Sequence, residues 1–491
     1  MLKIFSTFEV NRNAMNRLYL IFFLVSSVWF ASCEREDIST NSSLKLKFSS
    51  DTVMFDTIFT TIGSSTQYFK IYNKNKHDLR ISSIQLAGGS SSNFRINIDG
   101  VAGDRVEDVT IRRNDSLFVF VEVTVDPNNQ NFPLLISDSV VFITNGNIQD
   151  VNLVAWGQDV HLFNADTIES NTTFTADKPY LINDYLLVKP NVELHISAGA
   201  KLYFHNKAQL VVAGSLIVDG EFENPVIFEG DRREIFYRDK AGQWGGIWLH
   251  AGSKNNEIKW AEIRNAINGI IVDTCITLDA PTLKISNSKV ENVSSIGLYA
   301  RGSKIEADNC LFSNAGQVSV ALTLGGTYQF YHCTIANYWG QYIYRKGPAL
   351  LLNNYYPYQL VKDGPVLIES RDLEQASFNN CIIYGSRDQE FEVDNSYKGQ
   401  PVSALMNYNF DHCILKVITN FNISDPIKYI NVIKDNPKFK DPWKLNFQLD
   451  TLSPAKDNGF RIYAEIYPID LKNLSHLADD GPDLGAYERK E

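Results

Sequence analysis

Six stretches of this chain lie over one another: I-K-W-A-E-I-R-N ending at Asn265, I-S-N-S-K-V-E-N at Asn292, A-D-N-C-L-F-S-N at Asn314, F-Y-H-C-T-I-A-N at Asn337, then F-N-N-C-I-I-Y-G and F-D-H-C-I-L-K-V. Their fourth column holds Ala261, Ser288, Cys310, Cys333, Cys381 and Cys413, spaced by 27, 22, 23, 48 and 32 residues. Short period-two runs recurring at this interval, with no helical stretch between them, predict a solenoid of stacked coils. A spacing of 22 or 23 is one turn of a three-strand coil. The spacing of 48 is two turns, or one turn with a long insertion, and 32 is one turn with a loop.

In a parallel coil each turn stacks about 4.8 Å above the last, so equivalent positions form columns. A column facing a narrow interior selects small or apolar side chains, and a free cysteine behaves as a small hydrophobe. Cys310, Cys333, Cys381 and Cys413 are therefore expected to form an interior file. Asn265, Asn292, Asn314 and Asn337 are expected to form a ladder at a tight turn, because asparagine tolerates left-handed backbone and its amide can bond the neighbouring turns. Ile263, Val290, Phe312, Ile335, Ile383 and Leu415 form a second inward column. Ile271, Leu298, Val320 and Ile343 are placed on the next wall. The pairs His332-Cys333 and His412-Cys413 raise the question of a nucleophile with its base, or a metal site. Neighbours on a strand face opposite ways, which argues against a catalytic pair. No Cys-x-x-Cys occurs, and no metal site is expected. Stacking accounts for the odd number of cysteines after Cys33 without a disulfide.

The formal charge is −11, with no basic stripe, which speaks against nucleic-acid binding. Residues 15–33 read M-N-R-L-Y-L-I-F-F-L-V-S-S-V-W-F-A-S-C. A basic residue, a short apolar run and small residues before a cysteine resemble a bacterial lipoprotein signal, which implies cleavage before Cys33, lipidation of Cys33 and anchorage in the outer membrane. The alternative is an ordinary cleaved signal with an incidental cysteine. Met15 is a candidate start. Glu34-Arg35-Glu36-Asp37 resembles the Bacteroidota signal for export to the cell surface, or is a solvated tether, so the membrane face stays open. Residues 1–32 are read as signal peptide and 33–43 as tether.

Residues 44–157 alternate apolar and polar: Leu117, Val119, Val121, Val123 and Val125 point one way, Phe118 and Phe120 the other. Asn145-Gly146 marks a hairpin. Short strands at this spacing predict an antiparallel β-sandwich. The runs Y-F-K-I-Y-N-K-N (68–75) and L-V-A-W-G (153–157) resemble Ig-like domains of the abnormal-spindle/hydin type, a spacer or docking module.

Residues 158–180 read as a linker or cap. Beyond them, I-S-A-G-A-K-L-Y-F (196–204), L-V-V-A-G-S-L-I-V-D-G-E-F-E-N-P-V-I-F (210–228) and G-Q-W-G-G-I-W-L (242–249) resemble the opening coils of secreted pectin-lyase-like β-helix proteins. S-P-A-K-D-N-G (453–459) and D-D-G-P-D-L-G-A-Y-E (479–488) resemble their closing coil. The resemblance implies an all-β chain: a sandwich, then a right-handed parallel β-helix of three sheets over 181–450 and a closing coil or cap over 451–491. It does not name an activity, since this fold hosts enzymes and passive stalks alike.

Lyases of that class pair a basic residue with calcium held by acids, and hydrolases use clustered carboxylates. The acids Glu262, Glu291 and Asp308 share no register, and no calcium loop appears. No cofactor is expected, calcium entering only with a lyase. Tyr338, Trp339, Tyr355, Tyr356 and Tyr358 crowd the long spacing, with Arg345 and Lys346 between them. They offer either faces for stacking on sugar rings or packing for a loop. The expected function is a lipid-anchored envelope scaffold that binds a glycan or a protein partner without catalysis. The alternatives are a polysaccharide lyase or glycoside hydrolase, and a purely structural envelope protein. The oligomeric state is not legible.

Overall fold

The computed structural model describes residues 37–489, apart from 61–62, 127–132, 235, 275–279, 341–344 and 363. The expected lipidation site Cys33, together with Tyr342, Ile343 and Tyr344, lies outside the described residues. The chain folds as two units that divide after Gly157.

The first unit is a sandwich of two antiparallel sheets. Lys47–Phe48, Gln67–Tyr72, Ser116–Val123, Phe94–Ile98 and Val101–Gly103 form one; Thr52–Phe59, Asn147–Gln158, Leu134–Thr144, Leu79–Leu86 and Arg105–Ile111 form the other. Val119, Val121 and Val123 are fully buried between them, while Phe118 and Phe120 face out. Asn145 and Gly146 both have positive φ (50° and 76°), the two-residue turn that matches strand twist. The tether read over 33–43 is corrected for residues 37–43. Asp37 pairs with His77 at 2.7 Å. The amides of Asn145 and Asn147 donate to the carbonyls of Asn41 and Ser42 at 3.1 and 2.8 Å. These bonds hold the segment on the sandwich.

The second unit is a parallel β-helix of three sheets. Sheet 1 stacks Lys201–Phe204, Val226–Gly230, Ala261–Arg264, Lys289–Val293, Leu311–Ala315, Thr334–Asn337, Ile382–Gly385 and Ile414–Leu415. Sheet 2 stacks Gln209–Val212, Gly246–Leu249, Ile270–Val272, the first halves of Ile296–Asp308 and Val318–Tyr331, Leu350–Asn353 and Phe391–Asp394. Sheet 3 stacks Glu193–Ser197, Ser215–Asp219, Asn256–Lys259, Leu283–Ser286, the second halves of those two long strands, Leu373–Asn379, Met406–Asp411 and Tyr429–Ile430.

Two boundaries are corrected. The helix begins at His161, since His161–Ile168 pairs in parallel with Tyr180–Val188 and Thr172–Phe174 with Leu194–Ile196. This first coil has few inward apolar residues, Ile168 and Phe174 among them, so its period is faint. At the other end the last parallel bridge joins Ile414 to Ile433. The 48-residue spacing is one coil with an insertion, because Thr334 pairs directly with Ile382.

The interior is built from files of like side chains. Phe330, Phe378 and Phe410 stack at centroid distances of 5.1 and 4.9 Å. Cys310, Cys333, Cys381 and Cys413 are all fully buried, and the N–H of Cys333 points at Sγ of Cys381, and that of Cys381 at Sγ of Cys413, both at 3.4 Å. Burial pushes the Cys333 and Cys413 thiols up, so they carry no nucleophilic thiolate. Alkylation under native conditions is expected to leave these four thiols unmodified, and alkylation in denaturant to label all four, as read by peptide mass spectrometry.

The asparagine ladder is realised in part. Asn265, Asn292 and Asn314 have positive φ, and Nδ2 of Asn292 donates to Oδ1 of Asn265 at 2.7 Å. Above that rung the amides turn to backbone: Oδ1 of Asn314 accepts from Tyr338 N, and Nδ2 of Asn337 donates to Ala315 O. The insertion that starts at Tyr338 brings a backbone donor that takes the Asn314 oxygen. On the next wall the coils slip by one residue, since Leu298 pairs with Ile270 and not Ile271.

Candidate functional site

A second left-handed column precedes the cysteine file. Trp260, Asn287, Asn309, His332, Asn380, His412 and Asn431 all have φ between 45° and 52°. The third position of every aligned stretch carries it. His332 therefore sits in a turn and not on a strand, which corrects the reason given above for its separation from Cys333. Its ring is fully buried and stacks on His476 at 4.0 Å, and its Nε2 bonds the Asn380 amide at 3.0 Å.

His476 belongs to a strap, residues 438–488, that runs along the side of the helix. The expected closing coil is corrected to this lateral layer. Phe447, Leu471, Leu484 and Ala486 pack on the outward side chains of sheet 1, Leu311, Ala336, Ile382 and Ile414, apolar surface that would otherwise face water. The turn column supplies polar anchors. Asn287 donates to Ile469 O at 2.8 Å, Asn380 exchanges bonds with Phe460, and Asn309 accepts from His476 Nε2 at 2.8 Å. Gly485, with φ 90°, brings the strap against the wall, where a Cβ would lie 2.6 Å from Thr334 Oγ1; this is why the D-L-G-A-Y segment needs its glycine.

Where the strap crosses onto sheet 3 it roofs a groove of about 340 Å³, lined by Glu257, Lys259, Lys284, Ser286, Glu306, Ala307, Asp308 and Tyr467. The register makes two outward files across three coils: Glu257, Lys284 and Glu306 in one, Lys259, Ser286 and Asp308 in the other. Rungs lie about 4.8 Å apart, and two same-face residues on one strand about 6.7 Å apart. Tyr331 follows Asp308 in its file and stacks on Tyr467 at 4.7 Å. Asp308 is pushed up to about 7, by burial first and by Glu306 in part, against the opposing pull of Asn309 and Lys259. Tyr467 is pushed up to about 12 by burial, with Asp308 and Glu306 adding to it.

The other sites singled out in the sequence are not brought together with this groove. Glu262 and Lys289 pair at 3.0 Å on sheet 1, where Arg264 pairs with Glu229 at 2.7 Å. Tyr338 packs edge-on against Trp443 and Phe439 of the strap. Trp339 is half-buried. Tyr355 is buried, and its hydroxyl donates to Asp394 at 2.8 Å. Only Tyr356 and Tyr358 stand exposed, on a two-stranded arm of Tyr355–Tyr358 and Leu367–Ser370. Arg345 is removed as a polar hand for sugars, because it is buried in an ion pair with Glu390. Lys346 remains exposed. Among the described residues no group of three or more His, Cys, Asp or Glu is placed to hold a metal ion.

No curated protein matches this chain. Among solved structures, a protein of unknown function from Porphyromonas gingivalis W83 is 10% identical over 26% of this chain and 60% of its own, with a TM-score of 0.18. A family 123 glycoside hydrolase from Clostridium perfringens is 8% identical over 24% of this chain and 30% of its own, with a TM-score of 0.17. The chain thus spans less than two thirds of either. The catalytic unit of a GH87 alpha-1,3-glucanase from Streptomyces thermodiastaticus strain HF3-3 is 9% identical over 71% of this chain and 79% of its own, with a TM-score of 0.21. Likenesses of this size say nothing about activity. Residues 268–421 match the family described as "Right handed beta helix region", in accord with the coils traced above: this part of the chain is a right-handed parallel β-helix.

Proposed function

We propose that this is a lipid-anchored protein of the bacterial outer membrane that binds a glycan along the sheet 3 groove, with the sandwich as spacer. The observation that carries the reading is the groove itself. It crosses three coils and is lined by charged and polar side chains in register, with the Tyr467 ring beside them. A rigid wall with hydrogen-bonding groups at fixed rung spacing and one aromatic face suits a chain of sugar rings. On this reading Cys33→Ser abolishes lipid labelling and releases the protein from the membrane fraction. Tyr467→Ala lowers glycan affinity on an array at least tenfold; unchanged binding across the array refutes the groove.

A second reading, glycoside hydrolysis, is favoured by one observation. Asp308, pushed up to about 7, shares a strand face with Glu306. Two carboxyl groups on one strand face, one of them raised toward neutral pH, are the kind of pair this reaction uses. Reducing-sugar release that disappears in Asp308→Asn distinguishes an enzyme from a binder.

A further inference from the structure

We infer that the groove selects a positively charged sugar, its ammonium group lodged between the Asp308 carboxylate and the Tyr467 ring that lines the groove beside it. This rests on the glycan reading above and names the class of sugar.

The charges of the groove do not cancel evenly. In the first file Lys284 stands between Glu257 and Glu306, one rung from each. In the second file Asp308 has no such neighbour. Ser286 lies on the rung below and Tyr331 on the rung above. The nearest cation of its own file is Lys259, two rungs or about 9.6 Å away, and that amine pairs with Glu257 at 3.7 Å. Asp308 takes one hydrogen bond, from Nδ2 of Asn309 to Oδ1 at 3.1 Å. Asn309 is held from its other side by His476 Nε2, which orients the amide that bonds the carboxyl.

Beside this carboxyl the Tyr467 ring of the strap lines the groove, backed by Tyr331 of the helix wall, on which it stacks. A carboxylate next to aromatic faces is the combination that holds an ammonium group: the charge pairs with the oxygens and the C–H and N–H dipoles meet the ring quadrupole. The other charge classes fit less well. An acidic sugar would find Lys259 and Lys284 already set beside Glu257 and Glu306 and would be repelled by Asp308. A neutral sugar gains the ring contact and hydrogen bonds but leaves Asp308 only the pull of Lys259, an amine already paired with Glu257. Burial works in the same direction, since it holds Asp308 near half-ionised at neutral pH, and an incoming cation offsets the cost of ionising it.

The test is titration calorimetry of the purified full chain with three probes: a glucosamine hexamer, an N-acetylglucosamine hexamer and a galacturonate hexamer. The glucosamine hexamer is expected to bind at least tenfold more tightly than the N-acetylated one, and the galacturonate hexamer not at all. Asp308→Asn removes the glucosamine preference and leaves the N-acetylated probe unaffected. Raising the salt from 0.05 to 0.5 M weakens the glucosamine hexamer selectively, a measurement that needs no variant. Equal or tighter binding of either other probe overturns the cationic preference while the glycan reading stands. An unchanged preference in Asp308→Asn, or one unchanged by salt, also overturns it. Absence of binding by all three overturns it as well, and binding of no sugar on the array then removes the glycan reading too.

Discussion

Glu390→Ala is expected to destabilise the β-helix by about 3–5 kcal/mol, the cost of leaving a buried charge without its partner. Glu390 and Arg345 are almost inaccessible to solvent. The guanidinium donates to both carboxylate oxygens, at 2.8 and 2.5 Å, and to the carbonyls of Gly347 and Asn337. The carboxylate also accepts from the N–H of Ala349 and of Arg387, both at 2.8 Å. One pair thus ties the insertion after Asn337 to the coil above it. With alanine in place, Arg345 keeps its charge in a dry site and two backbone donors lose their acceptor. Replacing both partners with apolar residues of similar size, Arg345→Met with Glu390→Leu, is expected to recover part of the loss, because it removes the stranded charge while the backbone donors stay unpaired. Thermal melts followed by circular dichroism measure both; a single variant as stable as the parent sinks the account.

Residues differ in how much of this the sequence betrays. The cysteine file is legible because an inward position faces the same narrow space on every coil, and Ala261, Ser288 and Cys310 answer it in kind. The turn column is less so, since Trp260, Asn309 and His332 share a backbone angle and not a side-chain chemistry; the recurring Asn or His before each cysteine was the available signal. The groove is hidden for a different reason. Lys259, Ser286 and Asp308 are the second column of the aligned stretches, and Glu257, Lys284 and Glu306 stand just before the first, but mixed charges in a column look like solvated surface until the strap shows which wall it borders. Glu262, Glu291 and Asp308, compared along the sequence, lie on two different sheets. The strap is the least legible part. His476 meets Asn309 across 167 residues, and no local pattern specifies which wall a departing chain will cover. Asn309 has two partners, Asp308 in the groove and His476 in the strap, so the site depends on that non-local choice.

His476→Ala is expected to cost about 3 kcal/mol and to loosen the strap, since it removes two buried hydrogen bonds and one ring of a stack. Asn309 Oδ1 is an acceptor, so His476 carries its proton on Nε2. Its Nδ1, 2.7 Å from Glu488 Oε2, then takes a hydrogen bond from the protonated carboxyl. The environment agrees. Burial pushes His476 down to about 4, and burial followed by the charges of nearby acids pushes Glu488 up to about 8. The folded pair holds one proton from about pH 4 to 8. The unfolded pair, with ordinary values of 6.5 and 4.5, also holds one between those two values but none above 6.5. Above pH 6.5 the folded state therefore binds more protons, and stability falls until about pH 8, by roughly 2 kcal/mol. Asp483, raised to about 7 chiefly by burial, slopes the same way at lower pH. The groups facing His476 include His332, Asp470, Asn309 and Glu488; His332, held neutral chiefly by burial, slopes the other way below pH 6.5 and adds nothing above it, where the shared proton acts. The protein is thus expected to melt at a higher temperature at pH 5.5 than at pH 8. Glu488→Gln is expected to flatten the fall above pH 6.5, because the amide stays neutral and its N–H still reaches Nδ1. If that variant retains the full pH dependence of the parent, the shared proton does not govern the strap.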